Sequence, residues 1–158
     1  MKKLFTIIAA LLFGVMAFAQ TTATTPSQDL KIQYKSSRLV GYDVELTVLV
    51  TNMSSSEVLV NLVGGIYQTG MGGSVAYDND GNVYELGSIL VSVANKSLTD
   101  QYSAMTFPSK VPVKCHILIK NVAKEADSFT KVKLCVLCPQ LDVKSIGACF
   151  ELNNVSFK

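Results

Sequence analysis

Apolar and polar residues alternate along most of this chain, and the period is two rather than 3.6. In "YDVELTVLV", Tyr42, Val44, Leu46, Val48 and Val50 share one side while Asp43, Glu45 and Thr47 take the other. "VPVKCHILIKNV" repeats the pattern, with Val111, Val113, Cys115, Ile117 and Ile119 on one face and Lys114, His116 and Lys120 on the opposite one. Side chains that alternate in this way sit on a half-buried β-strand. Leu30, Ile32 and Tyr34 predict a first strand, "VLVNLV" from Val58 a third, and "GSILVSV", "KVKLCVLC" and "SIGACFELNNVSF" later ones. "AKEADSF" has room for one helical turn at a corner.

Turn chemistry separates these runs. "TNMSSSE" offers short polar side chains that bond their own backbone, and "GGIYQTGMGG" holds five of the ten glycines and predicts a loop. "YDNDGNVYE" predicts a hairpin, because Asp80-Gly81 lies between two short apolar runs and Gly accepts the positive φ of a tight turn. "NKSLTDQYSAMTFPSK" reads as a long connection. Seven to nine short strands at regular spacing predict an all-β, immunoglobulin-like antiparallel β-sandwich; a closed barrel is the alternative.

The N-terminus departs from the pattern. Lys2 and Lys3 precede an apolar run from Leu4 to Phe18, which closes on Ala17-Phe18-Ala19. A basic start, a short apolar core and a small-x-small site predict a secretory signal over residues 1–19 and export by the general secretory route to a periplasm or the exterior. The first cysteine is Cys115, so no lipid-bearing cysteine follows the apolar run and a lipid anchor is not expected. Residues 20–29 include the Thr-rich "TTATTPSQ" and read as a flexible leader. Residues 30–158 then form the one domain. With Lys2 and Lys3 gone, twelve basic residues face twelve acidic ones. That balance speaks against nucleic acid, whose binding needs a basic face, and against docking on anionic membranes.

The order "VELTVLVTNMSS", "YDNDGNVYE", "FPSKVPVKCHILIKNV" and "SFTKVKL" resembles the secreted immunoglobulin-like domains of unknown function of Gram-negative bacteria, which are similar to the telokin-like, immunoprotective extracellular group. The likeness runs from Lys31 to Val136. It implies a fold and an exported location, and it carries over no catalytic residue.

"LCVLCP" holds a C-x-x-C, Cys135 and Cys138, flanked by Cys115 and Cys149. On an extended strand the two thiols diverge, with Cys138 inward beside Val132, Leu134 and Val136, and Cys135 outward. Redox dithiols and zinc sites need convergence instead. Folding the last two strands about Asp142 sets Cys138 opposite Ile146 and Cys135 opposite Cys149. Opposed residues lie about 4.5–5.5 Å apart, within disulfide reach, so Cys135–Cys149 is the candidate disulfide on the outer face. The alternative is four reduced cysteines.

The remaining chemistry is sparse. His116, the only histidine, lies on an outward face without an oriented partner and reads as a solvated residue. In "DNDGN", Asp78 and Asp80 fit part of a calcium loop, but Ala76 and Gly87 stand where an EF-hand needs acids. A hairpin turn is the better reading; a weak calcium site would need carboxylates from elsewhere. Tyr67, Tyr77, Tyr84 and Tyr102 lie near loops and hairpin ends and are the candidate binding residues, a platform for a protein or glycan. The alternative is half-buried tyrosines of a sandwich. Three glycosylation sequons carry no weight in a chain with a bacterial-style signal. No cofactor and no enzyme activity are expected. The function predicted is an exported interaction module that contacts a partner through loops 64–73 and 94–107. An assembly subunit that pairs a sheet edge with a neighbour is the alternative, and a Cys/His or metal enzyme comes after both.

Overall fold

The computed structural model describes residues 20–65, 73–141 and 148–158. Eleven strands run through them: β1 (Thr22–Thr24), β2 (Leu30–Val40), β3 (Asp43–Asn52), β4 (Val58–Val63), β5 (Val75–Asp78), β6 (Val83–Tyr84), β7 (Ile89–Val93), β8 (Tyr102–Phe107), β9 (Pro112–Ile119), β10 (Ser128–Leu137) and β11 (Cys149–Ser156). They pair as two antiparallel sheets. One has the order β2-β3-β9-β7; the other has β1-β11-β10-β4-β8, with β5 also on β10 and β6 on β5. Both bury one face in a common core that includes Leu46, Ile117, Phe107, Phe129 and Phe150. The β1–β11 ladder does not continue to β2, nor the β4–β8 ladder to β7, so the body is two packed sheets rather than a closed barrel. Among the described residues no helix is long and apolar enough to cross a membrane.

Alternation assigns the faces as the sequence predicts. Val44, Leu46, Val48 and Val50 are buried, as are Val113, Cys115, Ile117 and Ile119, and Val132, Leu134, Val136 and Cys138. Tyr42 and Val111 are exceptions, 69% and 48% exposed, because strand β3 starts only at Asp43, after a turn at Gly41 with φ of 66°, and strand β9 only at Pro112. The strand count exceeds seven to nine because β1 falls in the expected leader and β8 in the expected long connection. The predicted hairpin forms at Asp80-Gly81, with Ala76 opposite Tyr84 and Gly81 at φ 87°. Residues 123–126 make a turn and no helix.

Two stretches differ from the reading of the chain. Thr22–Thr24, expected in a flexible leader, is hydrogen-bonded to β11, and Thr21 Oγ1 donates to the Asn154 carbonyl at 2.9 Å. Within the expected long connection, Tyr102–Phe107 is a strand paired with β4. Segment 94–101 closes the side of β7, where Val91 and Thr99 exchange backbone hydrogen bonds. An uncovered edge row of amides and carbonyls invites pairing with other chains, and this cover removes part of it.

β5 and β4 lie end to end along one edge of β10: β5 beside Phe129 to Lys133, β4 beside Val136 and Leu137. The join falls at Cys135, whose amide meets neither strand. Ser74 fills it, accepting from Cys135 N at 2.9 Å and donating to the Val63 carbonyl at 2.5 Å. Gly64 completes the join by accepting from Ser74 N at 2.8 Å and donating to the Gln101 carbonyl at 2.5 Å. A Cβ on Gly64 would drive into the Asp100 backbone. Gly64→Ala should therefore cost about 1–3 kcal/mol, as overpacking does, read as a lower urea midpoint; an unchanged midpoint would show that this approach relaxes freely.

Candidate functional site

Four consecutive amides organise one end of the sandwich. Lys120 N donates to the Ser88 carbonyl at 2.8 Å, Asn121 N to Asp43 Oδ1 at 3.0 Å, Val122 N to the Tyr42 carbonyl at 2.7 Å, and Ala123 N to the Tyr84 hydroxyl at 3.0 Å. The corner after β9 thus ties together the β2–β3 turn, the β6–β7 turn and β6.

Tyr84 can serve there because Asp78 holds it. Asp78 is almost fully buried, and its carboxylate accepts four hydrogen bonds. Oδ1 takes Asp80 N at 2.9 Å and Asn82 N at 2.8 Å; Oδ2 takes Asn82 Nδ2 at 2.8 Å and the Tyr84 hydroxyl at 2.7 Å. Burial alone would raise the Asp78 pKa, but the bonds from Asn82, Tyr84 and Asp80 together outweigh it and hold the carboxyl below its ordinary value. Tyr84 moves the other way: burial raises its pKa, and the bond it donates to Asp78 adds to that. The weak calcium site considered at Asp78–Asp80 is therefore not formed by Asp78. Its oxygens face inward and are committed to protein donors, leaving no lone pairs aimed at solvent.

On the surface above this frame lie Leu39, Val40 and Tyr42, which are 39%, 47% and 69% exposed. Leu39, Gly41 and Tyr42 line an open groove with Val122, Ala123 and Lys124, and Lys158 closes it by donating from Nζ to the Lys124 carbonyl at 2.6 Å. Val83 and Leu86, on β6 and in the turn that follows it, are also exposed. The sequence carried a signal for this group: "LVGY" places three large apolar residues around a glycine turn, where polar residues are usual.

The three described candidate tyrosines are not gathered. Tyr84 is 7% exposed and faces the core, with its ring 5.8 Å from that of Phe129 in an edge-on contact. It is a buried support rather than a surface contact, since the short β6 turns it inward. Tyr77 is half-buried on β5 opposite Lys131, and Tyr102 is exposed on β8 opposite Val63. Tyr67, with most of loop 64–73, lies outside the described residues. His116 is half-buried on the outer face of the four-stranded sheet, in a shallow groove with Arg38, Glu45 and Lys96.

Cys135 stands opposite Cys149, the register expected from the sequence. Cys138 joins the core, so the C-x-x-C is split across the sheet. Ile146, the partner expected for Cys138, lies outside the described residues. Two details differ. The two thiols are not joined as a disulfide in this structure, and Cys135 is not solvent-facing: it is 5% exposed, with its thiol 3.3 Å from the Gly73 carbonyl. The join between β4 and β5 covers it. Burial pushes the Cys115 thiol up to about 12, and Cys138 is also raised by burial. No protein-family model, curated protein or solved structure matches the chain.

Proposed function

We propose that this is an exported, non-enzymatic binding module with an immunoglobulin-like body, and that it contacts a protein partner through the β2–β3 turn. The single observation behind this reading is the exposed apolar group Leu39, Val40 and Tyr42, held by the Val122 amide through the Tyr42 carbonyl. Turns are ordinarily polar, and exposed apolar residues grouped beside a groove mark contact surfaces. The aliphatic pair Leu39 and Val40 suits a protein side chain better than a glycan, which favours aromatic platforms. The lysines 124 and 158 at the rim suit an acidic edge on that partner.

Strand order supports the body. β2, β3, β9 and β7 follow the A-B-E-D sheet of an immunoglobulin domain, and β4, β10 and β11 follow its C-F-G sheet, with β8 added outside C. The proposed surface is thus the end that carries the A–B turn and the E–F corner, rather than loops 64–73 and 94–107.

The test is capture of partners from cell-envelope extract. The double variant Leu39→Ser, Tyr42→Ser should lose about tenfold or more of the captured partner, as truncating central contacts does. Leu59→Ser, exposed on β4 away from this end, should capture as the parent does. Equal capture by the parent and the double variant would place the contact elsewhere.

A further inference from the structure

We propose that Cys135 and Cys149 form a reversible cross-strand disulfide, closed by exchange with a disulfide-bearing oxidant such as oxidised glutathione or an oxidoreductase. The inference rests on backbone geometry and stands apart from the binding surface, which lies at the other end of β10.

The two residues are direct neighbours on β10 and β11. Antiparallel neighbours are of two kinds, and the hydrogen bonds say which kind this is. The Cys135 amide turns away from β11, to Ser74 Oγ. The next amide, Val136 N, turns toward β11 and donates to the Ala148 carbonyl at 3.0 Å. That is the pattern around a non-hydrogen-bonded pair, in which the Cα atoms approach to about 4.5 Å and the side chains are closest. A disulfide spans about 4.4–6.8 Å between Cα atoms, so the bond can close here with little backbone movement. The alternatives are set aside by the fold. Cys138 points into the core from the other face of β10, and Cys115 lies in the core from β9 of the opposite sheet.

The pair is asymmetric, and the asymmetry orders the chemistry. Cys135 is buried beneath Gly73, whereas Cys149 is only half-buried. The Cys149 thiol is held below its ordinary pKa chiefly by its pairing with the Cys135 thiol, against the opposing effect of burial; the Lys133 ammonium assists and Glu151 opposes. Cys135 is raised, by that pairing first and by burial second. Cys149 is therefore the entry point. Its thiolate attacks one sulfur of the oxidant's disulfide; a mixed disulfide forms, and the oxidant's other sulfur leaves as a thiolate. Cys135 then gives up its proton and attacks Cys149 Sγ. The Cys135–Cys149 bond forms and the second oxidant thiolate departs. Two protein thiols are oxidised, one disulfide is reduced to two thiols, and the cysteine protons pass to the leaving thiolates.

The experiment treats the mature chain with excess oxidised glutathione, removes the oxidant, alkylates under denaturing conditions and digests with trypsin. The expected result is that two of the four thiols escape alkylation. The peptide of residues 134–144 is then linked to that of residues 145–158, and fragmentation places the bond at Cys135. The oxidised protein should melt about 8 °C above the reduced one, from closing a loop across residues 135–149. Cys149→Ser should abolish both the link and the shift, and dithiothreitol should reverse them. Should the variant fail to fold, fragmentation of the parent peptide decides alone. Four alkylatable thiols, a bond mapped to Cys138, or only an intermolecular link would overturn the proposal.

Discussion

Replacing Phe129 by alanine should destabilise the domain by about 3–5 kcal/mol, among the largest effects a single core substitution has. Phe129 is fully buried, with the Tyr84 ring edge-on at 5.8 Å and the Phe157 ring tilted at 4.7 Å. Removing it opens a cavity between the hairpin of β5 and β6 and the C-terminal end of the chain. Such aromatic pairs add about 0.5–1.5 kcal/mol beyond burial. A double-mutant cycle between Phe129→Leu and Tyr84→Leu should therefore show coupling of that size. Urea unfolding measures both. A loss below about 1 kcal/mol for Phe129→Ala would mean that the neighbours collapse into the space and that this cluster does not anchor the end of the sandwich.

Asp78→Ala should cost about 3 kcal/mol, since bonds to a charged acceptor contribute about 1.5–3 kcal/mol each and the exposed donors can return to water. The buried Tyr84 hydroxyl would retain no acceptor, and through it Ala123 would lose its fixed place. The effect has a pH signature. The Asp78 pKa is lower in the folded chain than in the unfolded one, so through the acid range the unfolded chain binds more protons. Its contribution is fully present above the unfolded value of about 3.9 and is lost as pH falls through the lower folded value. Asp78→Asn should therefore be less stable than the parent at neutral pH, with the gap closing as pH falls below the unfolded value and through the lower folded one. A gap that stayed constant across that range would show that the carboxylate charge plays no part.

These two residues bear on the proposed contact surface through the same frame. Phe129 supports the ring of Tyr84, Asp78 supports its hydroxyl, and the hydroxyl takes the Ala123 amide beside Val122 and Tyr42. Both substitutions should loosen the groove beside the β2–β3 turn without touching its exposed side chains.

Much of this body was legible in the chain, for a physical reason. A two-sided strand must alternate, so β3, β9, β10 and β11 announced their buried faces, and the period of two separated Cys135 from Cys138. A hairpin fixes register by a sum, which sets Cys135 opposite Cys149 from the sequence alone. What the chain hid was non-local. Nothing in "SVAYD" or "VLVNLV" says that β5 and β4 share one edge of β10 end to end. That sharing is why Cys135 is covered rather than exposed. Thr22–Thr24 has no apolar face, and its pairing with β11 depends on an open edge that only the assembled sheet provides. Tyr84 looked like a hairpin-end aromatic, but β6 is two residues long and aims it at the core. The apolar turn at Leu39 to Tyr42 is visible in the chain, but the alternation of β3 carries back through Tyr42 and predicts it inside.

The most direct test of the binding account is photo-cross-linking in the cells that make the protein. A photoreactive phenylalanine analogue at position 42 should yield a discrete higher-mass adduct with a protein partner. The same analogue at position 59, exposed away from that end, should yield none. An adduct from position 59 alone, or none from either position, would contradict the assignment of the β2–β3 turn as the contact surface.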